Sequence, residues 1–264
     1  TNGSELAYLK QIVENNTLTN LQDNYFILTN DIDLGGNNWQ GIGIQTKEDI
    51  YGFSGHLDGQ GYTIKNFKIE KPTTINNTDY YSLFNILSDA EIKNLNINNV
   101  DITTTASLNP IILGLIVGQV QGKSTISNIA VQSTNLSLSK TLAQQDNKIG
   151  GLFAEISEES KIENIYNNME IEDVNANSFG NVFGILNGTA TRIITQVTYT
   201  NFLSINIPIA KQLGDNAKLD NTYQLTSDNN KLTILNEEKT LDNLLEELNN
   251  TIDTSYEWKS SELL

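Results

Sequence analysis

Apolar and polar positions in this chain alternate with period two in short runs, and one run recurs. From Gly114 to Val131, GLIVGQVQGKSTISNIAV, an apolar start at Leu115 and Val117 meets a glycine-marked break and then Ile126-Ser127-Asn128-Ile129-Ala130-Val131. The second half returns as Ile64-Lys65-Asn66-Phe67-Lys68-Ile69, as Ile92-Lys93-Asn94-Leu95-Asn96-Ile97 and as Ile162-Glu163-Asn164-Ile165. Leu219-Asp220-Asn221-Thr222 is a degraded copy, and Ile193-Ile194-Thr195-Gln196-Val197 holds the same place with Thr for Asn. First positions fall at 64, 92, 126, 162, 193 and 219, a spacing of 26 to 36 residues. Alternation at period two is strand chemistry. Self-similarity at about 20–50 residues marks stacked supersecondary units. The pattern predicts a coil of short strands around a column of Ile, Leu, Val and Phe.

The Asn in each copy breaks the alternation. Ile92 and Leu95 are three apart, so a straight strand cannot point both inward. A corner at Asn94 resolves this, because Asn tolerates the left-handed region and hydrogen-bonds the local backbone. Stacked corners predict a ladder of Asn66, Asn94, Asn128 and Asn164 along the coil, with amides satisfied between turns. An Asn-rich chain produces some such copies by chance, but four in register beside matching Ile positions argue for construction.

The ends and inserts follow. Residues 4–14 read as an amphipathic helix with Ser4 as N-cap and Leu6, Leu9, Ile12 and Val13 on one face. It covers the first coil, whose open edge would otherwise invite aggregation. Tyr25 to Leu34 reads as the first strand. Polar inserts at Glu70–Asp79, Thr103–Pro110 and Ser133–Lys148 vary while the core motif holds, which places them as loops on one face, the usual binding face of repeat proteins. Tyr80 and Tyr81 directly follow the first insert and are the candidate binding residues, one ring for the core and one for a ligand; aromatic filling of the coil is the competing reading. Thr240 caps a C-terminal helix with Leu241, Leu244, Leu245 and Leu248 on its stripe, and Trp258 follows. The expected organisation is one solenoid domain over 1–264, with an N-terminal cap (1–24), coils (25–225) and a C-terminal cap (226–264).

Charge narrows the function. With 32 acidic and 16 basic residues the net charge is −16, and Arg192 is the one arginine. Nucleic-acid binding needs clustered cations and is disfavoured. Cysteine is absent, which removes disulfides, thiol catalysis and Cys-held zinc. No apolar run approaches the roughly 20 residues of a membrane span. No signal-peptide pattern opens the chain, so it reads as a mature or excised fragment of a longer exported protein.

Catalytic signatures are sparse. One histidine, His56, forbids HExxH, and no G-x-S-x-G elbow accompanies it. His56 reads as a turn or surface residue. Asp31, Asp33 and Asp58 invite a Ca²⁺ site, but their spacing fits no calcium loop, and capping of turns is the preferred reading. Asp31, Asp33, Asp58 and Asp101 yield no distinguished carboxylate pair for glycoside hydrolysis. No cofactor and no metal are expected.

GLIVGQVQGKSTISNI and GLFAEISEESKIENI resemble GLUG motifs, with VFGILNGTATRII a weaker copy. YFILTNDIDLGGNNWQGIG and FSGHLDGQGYTIKNFKI resemble the segment that leads into such repeats; the likeness covers roughly residues 5–225. Similar regions occur in bacterial surface adhesins and in amino-terminal parts of immunoglobulin-A-cleaving metalloproteases. The resemblance implies an all-β, right-handed parallel β-helix (β-solenoid) with short capping helices, and it carries over no catalytic residues. The function expected is a non-catalytic, exported cell-surface module for adhesion or ligand display, binding a host or bacterial surface protein or glycan. A substrate-recognition segment of a larger surface metalloprotease is the alternative, and a polysaccharide-active enzyme the third.

Overall fold

The computed structural model describes residues 2–46, 49–105, 107–138, 146–172, 179–200, 207–225 and 232–234, with Glu246. The chain opens on helix α1, Gly3–Glu14, whose N-cap is Asn2 and not Ser4: the Asn2 side chain accepts the Glu5 backbone N–H at 3.1 Å. Asn caps as well as Ser does. Leu6, Leu9 and Val13 turn inward and join the core. The expected single strand over Tyr25–Leu34 is two, β1 (Tyr25–Ile27) and β2 (Ile32–Asn38). A small hairpin of β3 (Ile44–Gln45) and β4 (Ile50–Tyr51) follows, then β5 (His56–Asp58) and β6 (Thr63–Ile69). The break in the first strand has a cause: β1 stacks on β5 and β2 on β6, on either side of the turn at Gly59–Gly61.

After a hairpin of β7 (Thr73–Ile75) and β8 (Thr78–Tyr81), the chain winds regularly. One coil is β9 (Phe84–Ser88), β10 (Glu91–Thr103) and β11 (Ile111–Leu113). The next is β12 (Val117–Gln121), β13 (Thr125–Ser137) and β14 (Lys148–Ile149). Then come β15 (Phe153–Ile156) with β16 (Lys161–Glu172), β17 (Phe183–Leu186) with β18 (Thr189–Thr200), and β19 (Ala210–Leu213) with β20 (Lys218–Leu225), against which β21 (Leu232–Ile234) runs antiparallel. Strands of successive coils pair in parallel, forming a long-strand sheet β10-β13-β16-β18-β20, a second sheet β9-β12-β15-β17-β19, and a third of β8, β11 and β14. This is a β-solenoid. Like residues stack inside it: Ile92, Ile126, Ile162 and Ala190 in one column, Leu95, Ile129, Ile165 and Ile193 in another, Phe84, Val117, Phe153 and Phe183 in a third. All belong to one buried cluster that runs from Leu6 to Ile209. The predicted C-terminal helix and Trp258 lie outside the described residues, Glu246 excepted, whose backbone is helical.

The corners hold two columns of Asn where one was expected. Asn94, Asn128 and Asn164 have φ of 55°, 56° and 55° and stack in one column. Asn94 Nδ2 donates to Asp58 Oδ1 at 3.0 Å, Asn128 to Asn94 Oδ1 at 2.8 Å, and Asn164 to Asn128 Oδ1 at 2.8 Å. Asn66 belongs to a different column. Ile64 pairs with Ile97, not Ile92, so Asn66 (φ 57°) stands over Asn99 (φ 54°). Asn99 Nδ2 donates to Asn66 Oδ1 at 2.6 Å, and Asn66 Nδ2 to Asp33 Oδ2 at 2.7 Å. Ser133 (φ 49°) takes this second corner in β13, and a register shift between Val131 and Thr134 removes it in β16. The fifth copy is also displaced: Ala190 pairs with Ile162, so Arg192 (φ 56°) and not Thr195 takes the Asn place. Its guanidinium Nε donates to Asn164 Oδ1.

The Asn128 position separates the two contributions of this residue. Asn128→Ala loses two amide hydrogen bonds and places a Cβ-bearing residue without a local polar partner in the left-handed region, an expected cost of about 2–3 kcal/mol. Asn128→Gly keeps the backbone tolerance, and about 1–2 kcal/mol is expected. Urea melts of the two variants check this, and equal shifts would show that the amide bridge alone matters.

Candidate functional site

The three inserts leave the coil at one place, after the long strand and before the third sheet. The first is not a loose loop. Asn76 and Asn77, at φ 47° and 61°, form the two-residue turn that joins β7 to β8, a turn whose twist matches antiparallel strands. The Asn-Asn pair between Thr73-Thr74-Ile75 and Thr78 was the sequence signal for it. Asp79, 4% exposed, ties this hairpin to the second insert. Its carboxylate accepts Thr74 Oγ1 at 2.7 Å, Ser107 Oγ at 2.6 Å and Asn109 Nδ2 at 3.1 Å, and its N–H donates to Pro110 O at 2.9 Å. A carboxylate this buried needs such a set of donors. Within the third insert Thr134–Ser137 remain strand. Asn147 Oδ1 accepts the Ile111 N–H at 2.8 Å, which joins that insert to the same face.

Tyr80 and Tyr81 sit at the centre of this surface, and neither displays a ring. Strand alternation sends Tyr81 into the coil, where it is fully buried with its hydroxyl 3.5 Å from Thr105 Oγ1. Tyr80 points outward but is 4% exposed, roofed with Ile75, Ile86, Ile112 and Ala154 in a small cluster under the hairpin. The expectation of an exposed ligand-binding ring gives way to packing, because the hairpin needs an apolar underside. The Tyr80 hydroxyl lies 3.3 Å from Gln119 Oε1 and begins a polar row in which Gln119 Nε2 and Lys148 Nζ both donate to Glu155 Oε2, at 2.9 and 2.7 Å. Burial first, and the Glu155 charge second, push the Tyr80 phenol up to about 12. Tyr80 is therefore a neutral donor in this row.

A second group forms around His56, which reads from the sequence as a turn or surface residue. His56 lies on strand β5, stacked on the exposed Tyr25 ring at 4.3 Å and 9°. Its Nδ1 is 2.8 Å from Glu91 Oε2, while Lys93 Nζ is 3.0 Å from Glu91 Oε1. Parallel register places the four side chains in neighbouring rows of the long-strand sheet. Burial works to raise Glu91, but hydrogen bonds from His56 and Lys93 outweigh it and hold the carboxyl below its ordinary value. The Asp residues considered for Ca²⁺ are each engaged. Asp31 accepts the Thr63 N–H and Lys65, Asp33 the Gly35 N–H and Asn66, and Asp58 the Gln60 N–H and Asn94. Those bonds hold Asp31 and Asp33 below the ordinary range. Among the described residues no group of three or more His, Asp or Glu is placed to hold a metal ion.

A folded-state pKa below the unfolded one contributes stability that is present above the unfolded value and lost as pH falls through the folded value. The thermal midpoint should therefore drop as pH falls below about 4.3, the ordinary Glu value. Glu91→Gln should make that acid-side slope shallower. Melting curves from pH 7 to pH 3 check this; parallel profiles for the two proteins would remove Glu91 from the account.

None of the known protein families matches the chain, and no curated protein does. A solved structure, described as that of a candidate immunoglobulin A1 protease from Bacteroides ovatus, aligns with a TM-score of 0.55 at 16% identity, over 94% of this chain and 86% of that one. At that identity the likeness concerns the fold, and both chains are built as β-solenoids of this kind.

Proposed function

We propose that the chain is a non-catalytic recognition module of an exported surface protein, a GLUG-type solenoid that binds a surface protein or glycan through its insert face. The observation that carries this reading is Asp79: a buried carboxylate joins the hairpin of the first insert to the second insert. Held this way, the described parts of the first two inserts form one surface, and preorganisation lowers the entropic cost of binding. The whole of residues 1–264 then acts as one body, coils between two caps, outside the cell. No described helix is long and apolar enough to cross a membrane.

The first insert roofs Ile86 and Ile112, so the test leaves it intact. Residues 104–109 and 139–146 are replaced separately by short Gly-Ser turns, and the fold is confirmed by circular dichroism. Binding to whole cells or a glycan array is expected to weaken by about tenfold or more in at least one variant. Unchanged binding by both folded variants would move recognition off this face. The structural neighbour favours a second reading, the substrate-recognition segment of a larger protease. Saturable binding of immunoglobulin A1 by the isolated chain, without cleavage, would select it.

A further inference from the structure

Beside the first coil lies an open pocket of about 430 Å³ lined by Lys10, Asn38, Trp39, Gln40 and Lys71, the last of these at the start of the first insert. Its origin is local. Gly35 and Gly36 both take positive φ, 62° and 72°, and the register of β2 against β6 slips between Asp33 and Asn37. Pairing resumes with a shifted phase at Asn37 and Asn38, and Trp39 follows directly after the strand; bulges commonly re-aim side chains beside binding sites.

The lining runs against the rest of the surface. Acidic residues outnumber basic ones two to one over the chain, 32 against 16. The cleft nevertheless presents two lysines, two amides and an indole, and no carboxylate. Asn38 is set in place: its Oδ1 accepts the N–H groups of Glu70 and Lys71 at 2.8 and 3.1 Å, which leaves its NH₂ as the donor. Trp39 is anchored by Nε1 donating to Leu83 O at 3.0 Å and is 7% exposed, so it forms a fixed wall. Lys10 pairs with Glu14 one helical turn on. The Lys71 ammonium makes no ion pair among the described residues, while neighbouring Glu70 is paired with Lys68 at 3.4 Å. An open pocket with one preset amide donor, a second amide beside it and a lysine without an ion pair among the described residues suits an anion with further polar groups.

We propose that this cleft binds an acidic sugar, a uronate or sialate residue. Its carboxylate meets Lys71, with Lys10 beside it, and its hydroxyls meet the amides of Asn38 and Gln40. The volume suits one or two sugar rings, since small-molecule sites run from about 300 Å³ upward. The two amides suit hydroxyls, which both donate and accept. An inorganic anion would use the lysines and leave the amides idle.

The test is calorimetric titration of the full chain with glucuronate and with N-acetylneuraminate. Glucose, acetate and inorganic phosphate serve as probes at matched ionic strength. Saturable binding of at least one acidic sugar is expected, with glucose and acetate each weaker by tenfold or more. Lys71→Ala should weaken that sugar at least fivefold, and Asn38→Ala should weaken it with little effect on phosphate. Both variants should keep the wild-type melting temperature within a few degrees, and Lys71→Arg should retain most of the affinity. Absence of saturable binding by both acidic sugars would overturn the proposal. So would equal binding of acetate or phosphate, which would reduce the site to a charge, or unchanged affinity in folded Lys71→Ala.

Discussion

Gly150→Ala is expected to destabilise the solenoid by about 3 kcal/mol or more. A Cβ there would stand 2.1 Å from Phe153 O and 2.4 Å from Gly184 N. Both are backbone atoms, and one belongs to the next coil. No rotamer relieves the overlap; the coils would have to part. The same collision is written at two further levels, Gly114 against Val117 O and Ala154 N, and Gly180 against Phe183 O and Lys211 N. The glycine opening GLIVG, GGLFA and GNVFG is thus set by the approach of one coil's backbone to the next. Gly36→Ala is the control. Its φ is 72°, yet nothing lies within 4 Å of its Cβ, so only backbone strain of about 1 kcal/mol is expected. Chemical denaturation of both variants checks the contrast, and a Gly150→Ala cost no larger than that of Gly36→Ala would dismiss the collision.

Phe153→Ala should cost about 3–5 kcal/mol. The ring is fully buried, lies 5.3 Å from that of Phe183 at 16°, and stands in register between Val117 and Phe183. Its loss cannot be repaired by collapse. The floor and ceiling of the cavity are neighbouring coils, held about 4.8 Å apart by backbone hydrogen bonds. Phe153→Leu refills most of the space and should cost less than about 1.5 kcal/mol if the layer repacks. A small shift for Phe153→Ala in denaturant melts would show that the column closes over the gap after all.

The architecture was readable because alternation, Asn corners and period agree. The columns were not fully readable, for a physical reason. Strands β10 and β13 each have two corners, and in β10 Ile92-Lys93-Asn94 and Ile97-Asn98-Asn99 both satisfy the motif. Nothing in composition tells which of them Ile64 will meet; hydrogen-bond register decides it. Arg192 was missed because the left-handed region there is held by stacking and not by residue preference. On the insert face, position was legible and exposure was not. Two adjacent tyrosines necessarily point opposite ways from a strand, but only the folded hairpin shows that the outer one is roofed. The pocket at Lys71 brings residues 10, 38–40 and 71 together beside the register shift of β2, and no local pattern announces that meeting.

The column from Asp58 to Arg192 has one more consequence. Every amide in it donates toward the N-terminal end: Asn94 to Asp58, Asn128 to Asn94, Asn164 to Asn128, and Arg192 to Asn164. The dipoles therefore add head to tail. The positive end rests on a carboxylate, and the negative end receives the chain's one arginine, the same pairing of charge with terminus that stabilises an α-helix. The left-handed corner itself runs one coil further, to Asn221 (φ 49°) opposite Arg192. An amide rung in the middle can therefore be duplicated or deleted without altering the Asp58 contact or the Arg192 contact, and coil number in such a chain is free to drift by whole units.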